Sequence, residues 1–130
     1  MKGFCVSLSL MLFVVSCATT PEESTRISEV YRPLETGAII ANGAIEVVNA
    51  RIIDSPGYKG CTIQMVNVTD KPVTLAGIVR WYERDGAEAR KGRPLWRNMT
   101  LMPGQPFNLS SVAPVPWCTE IGLEIRGSLN

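Results

Sequence analysis

Alternation of side-chain character between Val73 and Glu83 is the strongest constraint that this sequence places on its fold. One parity is almost wholly apolar and the other is mixed, the apolar set being Val73, Leu75, Gly77, Val79 and Trp81. Because successive side chains of a strand point to opposite faces, this period of two predicts a strand with one buried face. Arg84-Asp85-Gly86 follows the segment, and an Asp-Gly pair after a strand is typical of a β-hairpin.

Similar short segments recur along the chain, separated by clusters of turn-forming residues. We predict further strands over 44–53, 61–68, 95–101, 107–112 and 121–126, and no long amphipathic helix. About seven short strands with frequent turns predict an all-β fold, an antiparallel immunoglobulin-like β-sandwich, with a small barrel as the alternative. The 130 residues, of which 45% are hydrophobic, are enough for one such domain.

The N-terminus has the organisation of a bacterial export signal. Lys2 precedes an apolar run from Phe4 to Val15, which is short for a membrane span, since spanning takes roughly 20 residues. The run ends in Val14-Val15-Ser16-Cys17, which resembles the lipobox of bacterial lipoproteins. Lipidation of Cys17 would anchor the chain firmly, because two or three acyl chains hold a protein where one does not. The alternative is an ordinary signal peptide cut near Ala18.

The lipobox resemblance implies an order of segments and a location. Residues 1–16 are expected to be the signal peptide, 17–37 a lipidated flexible tether, and 38–130 the β-sandwich domain. A short helix or strand around Ile27 to Tyr31 is allowed within the tether. In well-studied families an Asp after the lipidated cysteine retains the protein in the inner membrane, whereas this chain has Ala18. We therefore expect a palmitate-bearing outer-membrane lipoprotein that faces the periplasm.

The absence of histidine from the whole sequence limits the chemistry available to it. Ser–His and Cys–His nucleophilic pairs, and zinc sites that need imidazole, are excluded. A formal net charge of +1 gives no overall attraction to nucleic acid. We expect no enzyme activity, no cofactor, no metal site and no nucleic-acid partner.

Two cysteines remain once Cys5 leaves with the signal and Cys17 takes lipid. Cys61 and Cys118 form an even pair in an oxidising compartment, and each precedes a predicted strand. We predict a disulfide between them, which on the chain-entropy model would stabilise the domain by about 4 kcal/mol. The alternative is two separate buried thiols that act as small apolar residues.

Aromatic residues and arginines between 80 and 97 supply the candidate binding groups. Trp81 shares the apolar parity and is expected in the core rather than as a ligand-stacking ring. Trp96 has the opposite parity to Leu95, and we predict that it forms a binding patch with Tyr82. Candidate contacts to an acidic partner come from Arg80 and Arg84. The alternative for these arginines is a solvated hairpin of mixed charge.

The order of several short motifs resembles the YcfL-like family of small outer-membrane lipoproteins. The similarity extends from Ala44 to Arg126 and includes the lipobox; its motifs are Asn67-Val68-Thr69-Asp70-Lys71-Pro72, Trp81-Tyr82, Asp85-Gly86, Trp96, Leu101-Met102-Pro103-Gly104 and Val112-Ala113-Pro114-Val115-Pro116. That family is largely uncharacterised. The resemblance implies a periplasm-facing β-sandwich without established catalytic residues.

Together these features predict a non-catalytic protein-interaction module that acts in envelope assembly or maintenance. It would offer either a sheet edge or the Tyr82–Trp96 surface to an unidentified periplasmic protein. The alternative is a carbohydrate-binding or peptidoglycan-binding module that uses exposed aromatic residues and arginines.

Overall fold

The computed structural model describes residues 25–90, 93 and 95–129. All the regular secondary structure in this part of the chain consists of β-strands. The strands are β1 (Thr25–Tyr31), β2 (Ile39–Ile40), β3 (Ile45–Ser55), β4 (Tyr58–Asn67), β5 (Val73–Glu83), β6 (Glu88–Ala89), β7 (Arg97–Leu101), β8 (Pro106–Val112) and β9 (Cys118–Leu129). Within these residues no helix is long and apolar enough to cross a membrane. The all-β prediction is confirmed, and β2 and β6 were missed because two residues show no periodicity.

Two antiparallel sheets form the sandwich. The first sheet has the order β1-β9-β5-β6, and β7 also pairs with β5. The second sheet has the order β2-β3-β4-β8. Strand β5, the segment with the clearest alternation in the sequence, is central: β9 pairs with it from Leu75 to Glu83, and β6 and β7 share its other side. The predicted immunoglobulin-like sandwich is therefore confirmed.

The core lies between the two sheets. It is built from side chains on the inner face of each sheet, which alternate along the strands with side chains on the outer face. Trp81 is only 2% exposed and joins Ile63 of β4 and Leu123 of β9 in one buried cluster. Full burial of a large apolar side chain contributes about 1.5–3 kcal/mol. The expectation that Trp81 belongs to the core is confirmed.

The turn after β5 forms as the Asp-Gly pair predicts. Glu83 donates its N–H to the carbonyl of Ala87, and Gly86 has a φ of 93°. Glycine adopts this left-handed conformation without the steric cost that a side chain brings. The hairpin carries the short strand β6 back along β5, and its position defines the cleft described below.

The folded domain begins before the boundary expected at residue 38. Strand β1 pairs with β9 from Thr25 opposite Leu129 to Tyr31 opposite Leu123. Ile27 is buried, and Leu34 donates its N–H to the carbonyl of Ile121 at 2.9 Å. The second half of the predicted tether is thus an edge strand and its connection. Of the short helix or strand allowed around Ile27 to Tyr31, the strand is present; its one buried apolar residue in a polar stretch gives too little alternation to decide between them from sequence.

The cysteines Cys61 and Cys118 are both buried in the core cluster, where they are free thiols. The structure therefore differs from the predicted disulfide and shows the separate buried thiols of the alternative. Cys61 lies in β4 of one sheet, and Cys118 pairs with Glu83 of β5 in the other. Burial raises the pKa of Cys61 to about 11 and also raises the pKa of Cys118. Both groups stay protonated, and hence weakly nucleophilic, at neutral pH.

Candidate binding cleft at the sheet edges

Strand β8 forms one edge of the second sheet and lacks most of the features that usually protect an exposed edge. Its seven residues, Pro106-Phe107-Asn108-Leu109-Ser110-Ser111-Val112, carry no charge, and its pairing with β4 has no bulge. Edge strands are normally protected by charged side chains, proline, bulges or shortness. Proline stands only at the first position of β8. Strand β1, at an edge of the other sheet, carries Arg26 and Glu29.

The hydrogen-bond pattern identifies which backbone groups of β8 face outward. Ala113, directly after the strand, donates its N–H to the carbonyl of Lys59 and so bonds toward β4. Backbone direction alternates along an antiparallel strand, so Asn108, Ser110 and Val112 turn their N–H and C=O groups away from β4. Within the described residues no strand pairs with this side of β8, so these groups form a regular row along its edge. A second extended chain can hydrogen-bond to such a row.

The edge of the opposite sheet is interrupted next to β8. Strand β6 pairs with β5 at Trp81 and Tyr82, and β7 pairs with β5 from Val73 to Gly77. Between them, Ile78–Arg80 have no strand partner on this side among the residues described. Glu83 bonds toward the β6 side, and the direction of the backbone groups alternates from one residue to the next along β5. Val79, four residues earlier, therefore points its N–H and C=O to the same side, toward the interruption.

A cleft of about 460 Å³ lies between this interruption and β8. At its base, Trp81 donates its indole N–H to the hydroxyl of Ser111 at 3.0 Å, which connects the two sheets. The apolar parts of the wall include Leu95, which is 79% exposed, and Val112. The volume falls within the range of about 300–1,000 Å³ that is common for ligand sites.

The cleft carries a positive charge. Four arginines and one glutamate line it, for a formal net charge of +3: Arg80, Arg90, Arg93, Arg97 and Glu88. In the described part of the chain, Arg93 and Arg97 form no ion pair, whereas Arg90 contacts Glu88 at 3.1 Å. The guanidinium groups at the rim are therefore available to an acidic ligand.

Arg80 has a different role, because it is held inside an ion-pair network on the outer face of the first sheet. It contacts Glu88 at 2.7 Å and binds Glu124 through two nitrogens, one of them Nε at 2.8 Å. Burial alone would lower the pKa of Arg80, but the hydrogen bonds to both glutamates outweigh it and raise that pKa. Burial would raise the pKa of Glu88, but hydrogen bonds from Arg80 and Arg90 outweigh it and lower that pKa.

The predicted patch of Tyr82 and Trp96 is not formed in the structure. Tyr82 is only 5% exposed, because the guanidinium of Arg32 lies 3.7 Å above its ring. Trp96 is half-buried under Arg126, which pairs with Ala76 on β5. The two positions on β5 are separated by roughly 20 Å of strand. Each aromatic ring instead receives its own arginine as a cation–π partner.

The other predicted site residues lie in separate places. Arg84 is exposed on the hairpin between β5 and β6, at the end of the sandwich and away from the cleft. Cys17, the predicted lipidation residue, lies outside the described residues. Sequence reasoning proposed a sheet edge without naming it; the signal that identifies β8 is its uncharged strand between two proline-containing turns. Among the described residues, no group of His, Cys, Asp and Glu side chains is arranged to hold a metal ion.

The fold defines the class of the protein, a small β-sandwich module of immunoglobulin-like type. Residues 36–127 match the model of a protein family of unknown function, DUF1425, and the chain belongs to that family. No curated protein matches the chain.

Two solved structures share the fold. A DUF1425 family member from Shewanella sp. pv-4 has 17% sequence identity and a TM-score of 0.59, with 70% of this chain and 88% of that one covered. Campylobacter jejuni cj0090 has 20% identity and a TM-score of 0.53, with 69% and 92% covered. At these identities the similarity establishes a common architecture and nothing about function.

Proposed function

We propose that this chain is a non-catalytic protein-interaction module that binds an extended, acidic segment of a periplasmic protein. The segment adds as a strand to the free edge of β8 and places its carboxylates beside Arg93 and Arg97. The uncharged edge of β8 next to a cleft rimmed by Arg93 and Arg97, which form no ion pair within the described residues, is the observation that supports this proposal most directly. Envelope assembly or maintenance is the setting we propose.

The dimensions suit a short strand. Seven residues of β8 present an edge roughly 24 Å long, and backbone hydrogen bonds along it supply affinity without requiring a particular sequence. Charge then selects among extended segments, because the arginines at the rim would repel a positively charged segment and attract an acidic one. Exposed Leu95 offers an apolar contact at the same rim.

A second copy of this chain is a less suitable occupant. Pairing of β8 with β8 around a two-fold axis brings the same surface from both copies together. That arrangement would place two arginine rims near each other, at a cost in repulsion. An acidic segment from a different protein avoids this cost and neutralises the rim.

The location belongs to the same proposal. We propose that Cys17 carries the lipid, that the module is a YcfL-like outer-membrane lipoprotein, and that it faces the periplasm. Mass spectrometry of the mature N-terminus tests this directly, with an acylated Cys17 as the expected first residue. A Cys17→Ala variant that still requires detergent for its release from membranes would contradict the anchor.

The edge itself is tested with two variants at one position. Ser110→Pro removes an N–H that faces outward and leaves the bonds to β4 in place, whereas Ser110→Ala keeps that N–H and removes only the side-chain hydroxyl. A display library of random peptide segments is presented to the full chain and to both variants. Enriched sequences are expected to be extended and rich in Asp and Glu, and to bind the Ala variant but not the Pro variant. Equal enrichment by all three proteins would refute strand addition.

The charge requirement has its own variants. Arg97→Glu reverses one rim charge, and an enriched acidic peptide is expected to bind it at least roughly tenfold more weakly, since close charge pairs at interfaces contribute about 1.5 kcal/mol or more. Arg26→Glu, on β1 at the other side of the first sheet, is the matched control and should bind as the unmodified protein does. A dimer detected by sedimentation that Ser110→Pro dissolves would instead identify a second copy as the occupant.

The alternative of a carbohydrate-binding module on Tyr82 and Trp96 finds no such support, because Tyr82 is buried beneath Arg32. An aromatic platform for a sugar must be sought elsewhere on the molecule.

A further inference from the structure

Trp117 is the most exposed of the three tryptophans, and it lies at an end of the sandwich, away from the edge cleft. It is 58% exposed, in contrast to Trp81 in the core and half-buried Trp96. It stands in the connection between β8 and β9, directly before the buried Cys118. The exposed indole offers a large apolar face, and its burial against a ligand would be favourable.

The indole of Trp117 is held in place although it is exposed. Its N–H donates to the carboxylate of Glu83, the last residue of β5, at 2.6 Å. On one side Pro116 restricts the backbone, and on the other Cys118 is fixed by pairing with Glu83. The ring therefore presents a fixed face, and little conformational freedom is lost when a ligand stacks on it.

The surface around Trp117 is concave and electrically balanced. Its other lining residues carry two positive charges, two negative charges and a hydroxyl: Lys59, Arg84, Glu83, Asp85 and Thr119. An ionic ligand meets as many repelling groups as attracting ones here, in contrast to the edge cleft with its excess of arginine. A neutral ligand with many hydroxyls finds both donors and acceptors.

We infer that this end of the sandwich, named here the Trp117 site, binds a neutral saccharide. One face of a pyranose ring stacks on the indole, because the electron-rich face of the indole attracts the partly positive C–H groups of the sugar. The sugar hydroxyls exchange hydrogen bonds with the exposed side chains of Arg84, Asp85 and Thr119. This inference does not depend on the proposed strand addition at β8, because the two sites share no lining residue.

The probes are neutral oligosaccharides, an N-acetylglucosamine oligomer and maltotetraose, titrated into the isotope-labelled full chain. Nuclear magnetic resonance follows the indole N–H signals of all three tryptophans. A saturable shift of the Trp117 signal is expected with at least one probe, with little change at Trp81. Trp117→Ala is expected to weaken binding roughly tenfold or more, as measured by calorimetry.

Three further variants separate stacking from a general loss of structure. Glu83→Gln keeps an acceptor for the indole N–H and should bind nearly as the unmodified protein, whereas Glu83→Ala releases the ring and should bind more weakly. Trp96→Phe, at the half-buried tryptophan outside the Trp117 site, should leave the affinity for the saccharide unchanged. Ser110→Pro should also leave saccharide binding intact.

Two results would overturn the inference. One is the absence of saturable binding by either neutral probe, and the other is unchanged affinity in Trp117→Ala while the remaining resonances show a folded protein. Binding of acidic peptides at Trp117, with no response to sugars, would reassign the site to a protein partner.

Discussion

Replacement of Arg80 by methionine tests how much the ion-pair network stabilises the wall of the cleft. The side chains of Arg80 and Glu124 are 15% and 12% exposed, so the substitution leaves a carboxylate that is poorly solvated. Arg126 remains, but its nearest contact to Glu124 is 3.6 Å long. Removal of one partner from a fully buried pair costs about 3–5 kcal/mol. Because solvent and Arg126 reach this carboxylate, we expect a loss of about 2–3 kcal/mol.

The loss is measured by urea unfolding followed by tryptophan fluorescence. For a domain of this size, the expected loss of about 2–3 kcal/mol corresponds to a fall in melting temperature of roughly 10–20 °C. The double variant Arg80→Met, Glu124→Gln removes the stranded charge and should recover about half of the lost stability, because residues in contact are not additive. Arg97→Met removes an exposed guanidinium and should stay within about 0.5 kcal/mol of the unmodified protein. Two results would refute the stabilising role of the network. One is a double variant whose loss of stability equals the sum of the two single losses, and the other is an Arg80→Met variant that is as stable as the unmodified protein.

Three further predictions concern the core and the same network. Ser111→Ala removes the acceptor of the Trp81 indole N–H and should lower the free energy of unfolding by about 1 kcal/mol in a urea titration; an unchanged midpoint would contradict the connection between the sheets. Cys61 and Cys118 should react with an alkylating reagent only after unfolding, because burial raises both pKa values; mass spectrometry without reduction then shows two labels for free thiols and none for a disulfide. Since the pKa of Glu88 is lowered in the folded state from its ordinary 4.5, its contribution to stability is present above pH 4.5 and is lost as the pH falls through the folded value. Glu88→Gln should therefore flatten the acid side of the stability profile, and an identical acid profile would exclude this role.

Much of the strand pattern was predictable because it depends on local sequence. Alternation over Val73 to Glu83 identified β5 and its buried face, and Asp85-Gly86 identified the hairpin that follows. The segment around Ile27 to Tyr31 was left open as a short helix or strand, since its partner β9 lies about a hundred residues later in the chain and supplies the stability of β1. The two-residue strands β2 and β6 carry no periodic signal.

The candidate sites needed more than sequence. Tyr82 has the parity of an outward-facing residue, yet Arg32 of a distant segment covers it. Arg80 was expected to meet a partner, but it is neutralised by Glu124, 44 residues away in the sequence. No local pattern in the sequence indicates that Trp117 stays exposed, and the contact that holds its indole comes from Glu83, 34 residues earlier in the chain.

The sequence by itself determined most of the longer strands and the inward-facing side chains of β5, because the period of two is a property of each strand alone. The tertiary structure decided which strands lie at the edges, where the arginines gather, and which aromatic rings stay exposed. These features depend on pairings between residues far apart in the chain, and a local sequence pattern does not specify which distant residues it will pair with.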